Sequence, residues 1–119
     1  CDCADFWLER TRDRLVPPND WSEPSPAHPT ESSAAAAAAA GLWQLAGLVT
    51  DPARAREYAD HAVATLLLLA GPGFLSPREE DWDGLLKHAS YHEAKGLGVD
   101  ESVMWGDYFF LDALDQVLA

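Results

Sequence analysis

Positive charge is scarce in this chain. Eight lysines and arginines stand against twenty aspartates and glutamates, a formal net charge of −12. Binding nucleic acid or an anionic membrane surface needs a basic face, so neither is expected as a partner. Long hydrophobic runs are also missing: the longest, Ala34 to Trp43 and Leu66 to Ala70, fall short of the roughly 20 residues that span a bilayer. Nothing near the start has the charged, then apolar, then small-residue order of a secretion signal. The chain begins at Cys1 without a methionine, and it reads as a soluble segment cut from a longer protein, with the cytoplasm as its expected setting. Cysteine is limited to Cys1 and Cys3, a spacing that is neither the CxxC of redox sites nor half of a zinc site, so it identifies no compartment. No serine elbow, phosphate loop or nucleotide fingerprint is present, and no cofactor is expected.

What is present reads as helix. With 119 residues the chain suffices for one domain with a core and is short for two, so residues 1–119 are taken as a single all-α segment. Ala4, Trp7 and Leu8 share a face, giving a first helix over about 2–14. Five prolines in thirteen residues, Pro17 to Pro29, then exclude helix and central strand, leaving a long surface loop over 15–30. Trp21 is the large apolar group of that loop, and it serves either as packing or as a platform on which a sugar stacks. A second helix over 31–49 starts at Thr30 or Ser32 as N-cap, with Glu31 placed for the helix dipole. It runs through seven consecutive alanines, which have high helix propensity and almost no bulk, so neighbouring backbones can approach closely. Asp51 and Pro52 open a third helix over 52–70, which Gly71 and Pro72 stop. His61 lies off its apolar stripe and is expected to be exposed. Ser76 to Glu79 has the form of a capping box for one short turn. A final helix over 101–118, capped by Asp100, presents Phe110, Leu111, Leu114 and Val117 as a core face.

Between the last two helices lies an irregular polar loop, 84–100, which Gly96 and Gly98 keep from being helical. The chain has twelve lysine, arginine and histidine residues in all, yet Lys87, His88, His92 and Lys95 fall within nine positions. In so acidic a protein that cluster is the place for an anion. His88 and His92 have the i, i+4 spacing of a metal pair on a helix, but the glycines interrupt the helix and no third ligand has suitable spacing, so no metal is expected.

The stretch YHEAKGLGVDESVMWGDYFFLDAL resembles the C-terminal signature of the unsaturated glucuronyl hydrolases, glycoside hydrolase family 88. Two further blocks are similar in the same order: VPPNDWSEP to the family's VPYWDFDAP-like loop, and ESSAAAAAAAGLWQL to its DSSAAAIAASGLLEL-like helix start. Asn19, Trp21 and Glu31 depart from the usual Trp, Phe and Asp of those blocks. The resemblance implies the C-terminal part of an (α/α)6 toroid, with about four of its main helices present and the active site where inter-helix loops converge. It implies removal of a 4,5-unsaturated uronic acid from the non-reducing end of lyase-generated oligosaccharides, by protonation of the enol-ether double bond and addition of water. The family's catalytic aspartates lie upstream of the matched region, so no catalytic residue is assigned here.

By resemblance, Tyr91 and His92 line the sugar site. Charge adds Lys95 and His88, and Trp21 completes the set of candidate substrate-binding residues. The expected partners are an unsaturated uronic-acid oligosaccharide and the remainder of the toroid. Two other readings stay open: a carbohydrate-binding remnant of the fold without chemistry, and an unrelated acidic four-helix domain that binds a partner.

Overall fold

The computed structural model describes residues 2–22, 29–78 and 81–119. It contains four α-helices: α1 Asp2–Thr11, α2 Ser32–Ala46, α3 Pro52–Leu69 and α4 Met104–Leu118. Among the described residues the β-structure is confined to isolated bridges.

Helix α1 ends earlier than the expected 14. Arg14 N and Leu15 N both donate to Thr11 O, at 3.3 and 2.8 Å, and Leu15 takes a left-handed φ of 60°, so the chain reverses there. Helix α2 is capped by neither Thr30 nor Ser32. Glu31 occupies the N-cap, its carboxylate accepting from Ser33 N at 3.2 Å. The Thr30 hydroxyl donates instead to His88 O at 3.3 Å, while Ser32 is already the first helical residue, its N donating to the same carbonyl at 3.1 Å and its hydroxyl buried without a partner among the described residues. Helix α3 begins as anticipated, with the Asp51 carboxylate accepting from Ala53 N at 2.9 Å and Pro52 in the first turn.

Helix α2 packs along both α3 and α4, which barely touch each other. Ala35, Ala36, Ala39, Ala40 and Leu42 of α2 form the buried core with Tyr58, Ala62, Leu66 and Leu69 of α3 and Phe110 and Ala113 of α4. Helix α4 lies close against α2 at Gly106, where a Cβ would stand 2.9 Å from that of Ser33. Helix α1 is tied to α3 by side chains. Arg54 pairs with Asp5, the Tyr58 hydroxyl donates to Asp5 at 2.9 Å, and Thr11 meets His61 Nε2 at 3.0 Å. His61 is therefore half-buried rather than exposed.

Two further expectations change. Glu79 lies outside the described residues, and Ser76 and Pro77 form no helical turn: Ser76 N donates to Leu85 O at 2.9 Å and its hydroxyl to Gly84 O at 2.7 Å. Asp100 does not cap α4. The helix starts at Met104 after Val103 with no side-chain cap, and Asp100 sits at a left-handed φ of 57° bonded to His88.

Candidate functional site

The polar loop closes on itself as a short ladder. Ala89 and Glu101 exchange backbone hydrogen bonds at 2.8 and 2.9 Å, Tyr91 N donates to Gly98 O at 2.8 Å, and His92 and Leu97 exchange theirs at 2.9 and 3.1 Å. A single 3₁₀ turn, Glu93–Lys95, forms its tip, and Gly96 at φ 65° and Gly98 at φ 56° supply the left-handed residues that bring the chain back. Gly98 also makes room for its neighbour, because a Cβ there would lie 3.1 Å from Cβ of Tyr91.

The base of the ladder is fastened by carboxylates and hydroxyls. Asp107 in the first turn of α4 accepts from Leu85 N at 2.8 Å and from Leu86 N at 2.9 Å. Ser102 donates to Leu86 O and accepts from the Trp82 indole at 2.8 Å. Glu31 receives Ser90 N at 3.3 Å, so the cap of α2 also touches the loop.

Against this frame the sequence-predicted residues separate. Tyr91, His92 and Lys95 are exposed, with Tyr91 at 62%. Tyr91 packs edge-on against Trp105 at 5.9 Å and His92 at 6.4 Å. His88 does not join them: it is half-buried at the base, 2.6 Å from Asp100 through Nδ1 and edge-on to Phe74 at 5.8 Å. Trp21 sits on the other loop, half-buried in a cluster with Phe6 and Trp7 at 5.4 and 5.6 Å. That loop is built in turn, with Asn19 N donating to Pro29 O at 2.8 Å and Glu31 N to Pro17 O at 2.9 Å. The Asn19 side-chain amide donates to Glu93 at 3.2 Å, joining the two loops at their rims. Trp7, Pro18, Asn19, Asp20, Trp21 and Glu31 are among the residues lining a cavity of about 340 Å³ beside this junction, in the range of small-ligand pockets. The indole N–H groups of Trp7 and Trp21 are buried without a hydrogen-bond partner among the described residues.

No family profile matches the chain. It is 33% identical over 99 residues to the unsaturated glucuronyl hydrolase of Bacillus sp. (strain GL1), an alignment covering 79% of the chain and 26% of that protein. It is 30% identical over 86 residues to the unsaturated chondroitin disaccharide hydrolase of Streptococcus agalactiae serotype III (strain NEM316), covering 72% of the chain and 22% of that protein. The crystal structure of the Bacillus sp. GL1 hydrolase superposes with a TM-score of 0.86 at 31% identity, over 96% of this chain and 30% of that one.

The chain belongs to the unsaturated glucuronyl hydrolase family.

It spans between about a fifth and a third of the length of the relatives it matches, and its four helices are a partial piece of the (α/α)6 toroid of these hydrolases. The reading as an unrelated acidic four-helix domain is thereby overturned. A variant of the S. agalactiae glucuronyl hydrolase, solved with dGlcA-GalNAc6S, superposes with a TM-score of 0.80 at 28% identity over 98% of this chain.

Sequence reasoning passed over three residues that the glucuronyl hydrolase fold brings to this site. From sequence Glu31 is placed only for the helix dipole and Asn19 only as a departure from a motif, and Trp105 is not singled out. Trp105 is 43% exposed, and its indole N–H donates to Ser33 Oγ at 3.1 Å. The signal for Trp105 is its place in the first turn of α4, beside the loop; Glu31 carries the local signal of a helix start but none for Ser90, and Asn19 carries none for Glu93, since those partners are remote in sequence.

Proposed function

We propose that the chain is the C-terminal portion of a glycoside hydrolase that removes 4,5-unsaturated uronic acid from the non-reducing end of lyase-generated oligosaccharides. The observation that carries this reading is the ladder of residues 89–101, closed by the Ala89–Glu101, Tyr91–Gly98 and His92–Leu97 backbone bonds while Tyr91, His92 and Lys95 face solvent. A hydrogen-bonded loop bearing an aromatic face, an imidazole and a lysine suits an anionic sugar. The sulfated unsaturated disaccharide bound by the S. agalactiae relative is of that class. Local positive charge also offsets the repulsion between an acidic protein and a carboxylate substrate.

Tyr91 supplies a flat face and a hydroxyl, and His92 and Lys95 meet the carboxylate or a substituent on the next sugar. Trp21 lines the separate cavity beside the Asn19–Glu93 contact. His88, engaged by Asp100, steadies the base of the loop. The proton donor that adds to the enol-ether double bond is assigned outside this segment, because the family's catalytic aspartates lie upstream of the matched region; several carboxylates around the loop also have structural partners. Asp107 binds two backbone N–H groups, Asp100 binds His88, Glu31 caps α2 and Glu93 accepts from Asn19. The remainder of the toroid is the segment's partner, and supplies the acid.

In the full-length enzyme, Lys95→Ala or His92→Ala is expected to raise KM about ten- to a hundredfold, the equivalent of a charged hydrogen bond of roughly 1.5–3 kcal/mol, with a much smaller fall in kcat. A collapse of kcat at constant KM would place the proton donor in the loop and overturn the assignment. The chain by itself, incubated with an unsaturated disaccharide and followed by loss of the double-bond ultraviolet absorbance, is expected to show no turnover above buffer.

A further inference from the structure

Glu31 is the N-cap of α2, but its two carboxylate oxygens do separate work. Oε1 accepts the Ser33 hydroxyl at 2.6 Å as well as Ser33 N at 3.2 Å. Ser33 Oγ has spent its hydrogen on Glu31, so it meets the Trp105 indole N–H as an acceptor, at 3.1 Å. Oε2 accepts from Ser90 N at 3.3 Å, the peptide N–H immediately before Tyr91. Tyr91 then packs its ring edge-on against Trp105 at 5.9 Å. One carboxylate therefore reaches Tyr91 from two directions, through the backbone behind it and through the indole beside it.

We infer that Glu31, acting through Ser33 and Trp105, is a positioning residue for Tyr91. This rests on the reading of Tyr91 as a substrate contact. Helix capping alone would need only the Ser33 N bond, and an aspartate would serve it equally well. The longer side chain of glutamate is what spans α2, the loop and α4 together. The geometry also accounts for Gly106: Trp105 reaches Ser33 only because α4 meets α2 at that residue, where a side chain would collide with Ser33. A ring held at its backbone and along one edge keeps its face in place before substrate arrives, so binding loses less freedom in ordering it.

The test is a double-mutant cycle in the full-length enzyme. Ser33→Ala cuts the link to Trp105 while leaving the Glu31 carboxylate to cap a helix that is already rich in alanine. It is expected to raise KM about three- to tenfold, the scale of one neutral hydrogen bond, with kcat within about twofold of the parent. In a Tyr91→Ala background the same substitution should raise KM no further, because its effect is transmitted through that ring. Additive effects in the cycle, or a fall in kcat at constant KM, would overturn the inference. So would an unmoved KM in Ser33→Ala where Tyr91→Ala raises it.

If Tyr91→Ala itself leaves KM unchanged, the substrate-loop reading falls, and the inference falls with it. Hydrogen exchange of the Trp105 indole N–H gives a readout independent of turnover, and so separates the two failures. Exchange should quicken in both Ser33→Ala and Glu31→Gln, and unchanged exchange would overturn the relay whatever the kinetics.

Discussion

Thr11 and Thr65 both turn their hydroxyl hydrogens back on their own helices, to Trp7 O at 2.7 Å and to His61 O at 2.8 Å. Thr11 therefore faces the His61 ring as an acceptor, 3.0 Å from Nε2, while Thr65 Oγ lies 3.3 Å from Nδ1. A neutral imidazole has one N–H, and the shorter contact assigns it to Nε2. Burial pushes the His61 pKa below its ordinary 6.5, against weaker opposing effects of its own backbone and of Glu57. The unfolded chain accordingly takes up this proton first as pH falls. The contribution of His61 is complete above its unfolded pKa and is lost as pH drops from there toward the folded value. The melting temperature should decline as pH falls through the ordinary histidine value of 6.5, and His61→Gln should flatten that part of the profile. Asp5 acts in a separate window: the Tyr58 hydroxyl, with the Arg54 charge, holds its carboxyl below the ordinary 3.8. That contribution is present above 3.8 and fades only as pH falls below it, so Tyr58→Phe should leave the His61 window untouched.

Among the helices, α2 bears the tightest constraint, since it is packed by α3 and α4 at once and Ala35 and Ala36 have no exposure at all. High propensity makes the helix form, but small size is what lets two neighbours close on it. Ala36→Leu and Gly106→Ala should each lower stability by about 1–3 kcal/mol through overpacking, seen as an earlier denaturation midpoint in urea. Gly41 of the same helix is exposed and a Cβ there would meet nothing within 4 Å. Gly41→Ala should therefore shift the midpoint the other way, by about 0.5–1 kcal/mol. Opposite signs within one helix separate packing from propensity, and equal signs would refute the division.

As a whole the chain is a slab of 43 × 33 × 20 Å, the thickness of two helix layers. Met104, Tyr108, Leu111 and Leu118 form an exposed stripe at helical spacing along α4, 53 to 83% accessible, and Leu48 and Leu67 are more than 70% exposed. Apolar surface of this extent marks an interface. With the remainder of the toroid proposed as its cover, the isolated chain should self-associate, or melt broadly with a midpoint that depends on protein concentration. Sedimentation and thermal scans across a concentration series check this. A sharp, concentration-independent transition from a proven monomer would contradict it.

Periodicity and punctuation along the chain were enough for the helices whose signals are local. The Asp51–Pro52 start of α3 and the alanine run of α2 concern neighbours within one turn, where propensity and capping act, and the ordered blocks around Glu31 and Tyr91 carried the family. What the sequence could not settle was which polar groups bind nearby and which reach across the fold. Asp100 has the form of a cap, yet its carboxylate goes to His88, 12 positions away. His61 lay off the apolar stripe, yet it is half-buried against Thr11, 50 positions away. Glu31 binds Ser90 N at a separation of 59. A carboxylate or an imidazole is satisfied equally well by a local N–H or a distant one, so its local sequence does not distinguish the two. The tertiary structure decides, because packing α4 against α2 at Gly106 brings the loop within bonding distance of Glu31 and leaves Tyr91, His92 and Lys95 on the outside.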